Sequence, residues 1–168
     1  MHNLIRVFFI YFTFFLGFVV STVPWSSEYI SLRPYWILII LLIWTIKDSR
    51  KVGYVTALVV GLLSDSLAGT QLGEHAIAFL IVTFINTRLS KLYVNVGFMF
   101  QTICTALLIL IYSIVIFALE LFSYNFIQFN KEFFLPILTS TIIWAWLFTA
   151  IGILQLWLAK RYRINFGK

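Results

Sequence analysis

Gly61-Leu62-Leu63-Ser64-Asp65-Ser66-Leu67-Ala68-Gly69-Thr70-Gln71-Leu72-Gly73-Glu74-His75 decides how this chain folds. The stretch places two acids, a histidine and three glycines inside very apolar sequence. Charge in such a setting is expensive and is kept for a reason. Counting back from Asp65 in fours gives Gly61, Ala57 and Gly53. Residues four apart share a helix face. A groove of small side chains therefore leads up to the carboxylate, the kind of face that lets membrane helices approach closely.

Outward from this stretch the chain is apolar almost throughout. Of 168 residues, 62% are hydrophobic and only 11% charged, with a mean hydropathy of +1.00. Soluble domains carry about 25% charged residues, so this is an integral membrane protein of one polytopic domain, residues 1–168. The net charge of +6 does not indicate nucleic acid, because of where the cations lie. Arg6, Lys47, Arg50, Lys51, Arg88, Lys91, Lys160, Arg161, Arg163 and Lys168 occupy alternate gaps between apolar runs, and only Arg33 and Lys131 occupy the others. This asymmetry places both termini in the cytoplasm, with the cationic face against anionic membrane lipid.

The apolar runs predict an all-α protein of six transmembrane helices, at about residues 7–23, 30–46, 52–67, 74–87, 97–122 and 133–159. The first is read as a retained helix, since no small-x-small cleavage site precedes Pro24. Pro34 and Pro136 are expected in first helical turns. The third and fourth helices are short, about 20 Å each from charge to turn at 1.5 Å per residue. Their hairpin barely crosses a hydrocarbon layer about 30 Å thick, which sinks its turn into the membrane. Thr141, Ala145 and Thr149 offer a second small-residue face on the last helix.

The polar residues point to structure before chemistry. Asp65, ending the third helix before Gly69 and Gly73, is suited to accept backbone N–H groups of the sunken turn, and those glycines suit positive φ or close approach. A proton, ion or ligand role for Asp65 is the competing reading. Glu74 suits the positive end of the fourth helix, and the same field favours a neutral His75 as a hydrogen-bonding anchor over a pH switch. Asp65, Glu74 and His75 are expected to gather at the outer end of the hairpin. No catalytic set is evident, because Ser64 and Ser66 lie in no Gly-x-Ser-x-Gly turn. With His2 and His75 as the only histidines and Cys104 alone mid-helix, no metal or cofactor site is predicted. Arg33 reads as an interfacial anchor.

Arg33-Pro34-x-Trp36, then Trp44, a basic loop and Gly53, then Gly61-Leu62-Leu63-x-Asp65, Gly69, Leu72-Gly73-x-His75-Ala76 form a pattern. It resembles the family of the rod shape-determining protein MreD. Trp144-x-Trp146-Leu147-Phe148 is similar to that family's second aromatic signature, although Ala145 stands where many relatives have proline. The resemblance spans nearly the whole chain. It implies a non-enzymatic component of the bacterial cell-elongation machinery in the inner membrane. Its implied direct partner is MreC, with MreB, a SEDS glycosyltransferase and a transpeptidase in the same complex. The family's core is also similar to the S-components of energy-coupling-factor transporters. A small-molecule-binding transport component is therefore the alternative function. It is disfavoured because residues 7–23 lack the Ala-x-x-x-Ala pair through which S-components dock.

Overall fold

The computed structural model describes residues 2–26, 29–93, 96–124 and 134–162. Lys131, Arg163 and Lys168, used above in the topology, lie outside them. Among the described residues the chain is helical: α1 (His2–Thr22), a 3-10 turn (Ile30–Leu32), α2 (Trp36–Lys47), α3 (Tyr54–Ala68), α4 (Glu74–Tyr93), α5 (Phe98–Tyr124) and α6 (Leu135–Tyr162). Four stretches are long and apolar enough to cross a membrane: Ile5–Thr22, Ile30–Lys47, Phe98–Phe122 and Leu135–Trp157. The third helix is a shorter apolar element. At 15 residues it rises only about 22 Å.

The second helix does not begin where the sequence suggested. Arg33 is extended (φ −65°, ψ 119°), because the ring of the following proline disfavours the helical region for the residue before it. Pro34 therefore separates the 3-10 turn from α2 and lies outside the first turn of the helix. The amide of Tyr35, left without an intrahelical acceptor, donates to Ser140 Oγ of α6 at 2.9 Å. The fourth helix also runs past Arg88 to Tyr93. Cations near a helix C-terminus complement its dipole and do not stop it, and the Arg88 guanidinium packs over the Phe84 ring at 5.3 Å.

α2 is the centre of the bundle. Every residue from Ile37 to Thr45 is buried, with α1, α4 and α6 packed around it. On the α1 side, Trp44 donates its indole N–H to Thr13 Oγ1 at 2.7 Å and meets Phe9 edge-on. On the α4 side, Asn86 Nδ2 donates to the Leu42 carbonyl at 3.2 Å. On the α6 side, Trp144 is fully buried and stacks on Phe148 and Phe98. The α6 seam runs through Ile137, Ser140, Trp144 and Ile151. The expected small-residue face is not that seam: Thr141 and Ala145 are half-buried and Thr149 is exposed. At the basic end, Arg6 of α1 pairs with Asp48 at 2.7 Å, both side chains largely buried. Asp48 also closes α2, its amide bonding the Trp44 carbonyl.

Candidate functional site

The α3–α4 hairpin is held by close approach along its length and by one carboxylate at its tip. Ala57, Gly61 and Asp65 are all buried on the α3 face. A Cβ built on Gly61 would overlap the Ala76 backbone, lying 2.7 Å from its nitrogen, so only glycine permits this separation. Gly53 takes no part in the close contact. It precedes α3 as an extended N-cap residue, and a Cβ there would meet only the Ser49 carbonyl, at 3.8 Å.

At the tip, Gly69 adopts the left-handed conformation (φ 69°) and its amide bonds the Asp65 carbonyl. The Thr70 amide bonds the same carbonyl at 3.2 Å, which completes the α3 C-cap. Gly73, at φ 110°, turns the chain into α4. The Asp65 carboxylate then does for α4 what an N-cap side chain normally does from within its own helix. Oδ2 accepts the Gly73 amide at 2.8 Å, and Oδ1 accepts the His75 amide at 2.8 Å. Oδ1 also receives His75 Nδ1 at 2.8 Å and the Thr70 hydroxyl at 3.3 Å. A carboxylate only accepts, so Nδ1 carries the proton in this contact. With Asp65 fully buried, a negative group sits at the positive end of α4 with four donors around it.

Glu74 behaves differently from its neighbour. It lies in the first turn of α4 and is only 5% exposed, yet neither carboxylate oxygen has a hydrogen-bond partner among the described residues. The hairpin tip thus brings Asp65 and His75 together, and Glu74 bonds to neither.

Beside this clamp lies a cavity of about 570 Å³. Its walls are the end of α1, the 3-10 turn, the Arg33-Pro34-Tyr35-Trp36 segment, and parts of α3, α4, α5 and α6, including Ser64, Leu67, His75, Phe79, Tyr112 and Pro136. Arg33 donates through Nη2 to the Ser21 carbonyl, which ties the α1 end to the segment before α2. Tyr35 and Tyr112 pack edge-on with centroids 5.0 Å apart, and Phe79 stacks on Tyr112. Of the residues singled out from sequence, Arg33, Pro34, Trp36 and His75 line the cavity, with Asp65 behind His75. Gly69 and Gly73 shape the turn. Trp144 is in the core, whereas Trp146 is 69% exposed on the bundle surface. Phe79 follows His75 by one helical turn, a spacing that alone does not single it out of an apolar helix. Tyr112, deep in an apolar run, carried no signal. No cluster that could hold a metal ion occurs among the described residues.

The comparisons with known proteins agree with one another. The sequence model for the family described as rod shape-determining protein MreD matches residues 1–163. A rod shape-determining protein MreD from Haemophilus influenzae is 28% identical over 135 residues, covering 80% of this chain and 83% of its own. No solved structure matches the chain.

Proposed function

The chain belongs to the rod shape-determining protein MreD family, and from that premise we propose that it is an inner-membrane scaffold that binds MreC and helps organise lateral wall synthesis. Membership makes it a multi-pass, shape-determining membrane protein and not an enzyme. The observation that carries the scaffold reading is the build of the hairpin. Asp65, one of its two buried acids, is spent on four hydrogen bonds within the chain, which makes it a structural clamp in place of a reactive group. Membership of the rod complex brings the MreB filament, a SEDS glycosyltransferase and a transpeptidase into its surroundings. The basic residues on alternate loops support both termini lying in the cytoplasm.

Depletion in a rod-shaped host should give rounding cells, and tagged protein drawn from native membrane should bring MreC with it. Normal rods after complete loss, with no second copy of the gene, would overturn the proposal. The transport-component alternative draws support from the cavity. The first helix counts against it: its close approach is Gly17 against Ile40 of α2, inside the protein, and no paired-alanine docking face is available. A vitamin bound in the purified protein would reverse that ranking.

A further inference from the structure

The cavity beside the Asp65–His75 clamp has a chemical polarity of its own. Its described lining contains one guanidinium, Arg33, and no carboxylate, because Asp65 is sealed behind His75 with both oxygens engaged. Among the described residues, the acceptor of the Arg33 guanidinium is a single carbonyl, that of Ser21. A guanidinium has five N–H donors in a fork that matches a phosphate. Trp36 lines the same cavity, although its indole Nε1 is closed off from it. The cavity therefore holds one guanidinium with donors to spare, in a described lining that contains no carboxylate to receive them.

The rim says what kind of molecule carries that group. Ile30 and Leu67 both line the cavity, and each is 56% exposed on the bundle surface, facing hydrocarbon in a membrane. The volume suits a headgroup and the first part of its chains. A free anion would find a single guanidinium to replace its hydration, which is unfavourable. A molecule with a charged head and apolar tails meets both surfaces at once.

We propose that this cavity binds the phosphate headgroup of a phospholipid from the adjoining leaflet, with Arg33 donating to the phosphate and the acyl chains leaving past Ile30 and Leu67. His75, held by Asp65, forms the wall at the hairpin, so lipid occupancy buttresses the turn that the carboxylate has already ordered. This reading holds whether or not the chain binds MreC, and it is tested without MreC.

The test uses the full-length protein, stripped of lipid in detergent and titrated with phosphatidylglycerol, with diacylglycerol and with inorganic phosphate, bound molecules being counted by native mass spectrometry. Phosphatidylglycerol should be retained, diacylglycerol should not, and inorganic phosphate should neither bind measurably nor displace the lipid. Arg33→Gln should weaken retention by about tenfold, the scale of one charge-assisted hydrogen bond. Arg50→Gln, in the basic loop at the other end of α2, should leave it unchanged. If Arg33→Gln fails to fold, Arg33→Lys, which keeps the charge but loses the planar fork, should still weaken retention and decides the matter. Equal retention of diacylglycerol, binding of inorganic phosphate alone, or wild-type retention in the folded variants would each overturn the proposal.

Discussion

Replacing Asp65 separates a structural carboxylate from a reactive one. In Asp65→Leu the amides of Gly73 and His75 and the imidazole Nδ1–H all lose the fully buried carboxylate that accepts from them. Each buried donor left unmet costs about 1–3 kcal/mol, so the three together remove about 3–9 kcal/mol. Total stabilities are about 5–15 kcal/mol, and the hairpin should not survive this loss. Asp65→Asn is a milder change. With its carbonyl at the Oδ1 position it still accepts from His75 N, His75 Nδ1 and Thr70. Its NH2 group then faces the Gly73 amide, donor against donor, and one bond is lost at about 1–3 kcal/mol. The assay is thermal unfolding of the detergent-purified protein together with co-purification of MreC and cell shape in a complemented deletion. Leu should fail in all three, and Asn should unfold earlier yet keep MreC and rod shape. If Asn accumulated and melted like wild type but lost rod shape as completely as Leu, the clamp would be the wrong account. A charge- or proton-dependent role for Asp65 would replace it.

Gly61→Ala should lower the melting temperature more than Leu62→Ala, because its methyl would enter the Ala76 backbone while Leu62 is exposed; the reverse order would put the packed face elsewhere. In a double-mutant cycle, Arg6→Gln and Asp48→Asn should couple by about 1–3 kcal/mol, as partly buried partners in contact do, and simple additivity would show the pair to be energetically idle. For topology, cysteines replacing Lys131 and Lys168, each in a Cys104→Ser background, should label differently in intact spheroplasts, Lys131→Cys alone reacting with an impermeant reagent. Equal labelling would refute the orientation.

What could be read from the sequence was what polar residues punctuate. Charged loops and the Gly69/Gly73 turn delimit the helices, and the i, i+4 spacing of Ala57, Gly61 and Asp65 fixes the α3 face. The break at Arg33-Pro34 was also on the page, in the preference of the residue before proline, but the apolar run around it was read as one helix. The centrality of α2 was not legible. A lipid-facing surface and a protein-facing surface are equally apolar, so a helix buried on every side looks like one bathed in lipid. The same degeneracy misplaced the α6 seam, where Thr141, Ala145 and Thr149 offered a plausible spacing and the large Trp144 was the residue actually enclosed. The cavity was visible only at its rim: Arg33, Trp36 and His75 stood out as polar or interfacial, while Phe79 and Tyr112 were indistinguishable from their surroundings.

The bond from Tyr35 to Ser140 spans 105 positions, whereas those of Asp65 span no more than ten. During synthesis these two closures come at opposite ends of the clock. The hairpin can lock once α4 has left the insertion machinery, with α6 not required. The start of α2, the helix at the centre of the bundle, stays open until the final helix has been made and laid alongside it. Completion of the protein is thus signalled at its core, and a chain stopped before α6 should carry a protected hairpin beside a protease-sensitive second helix.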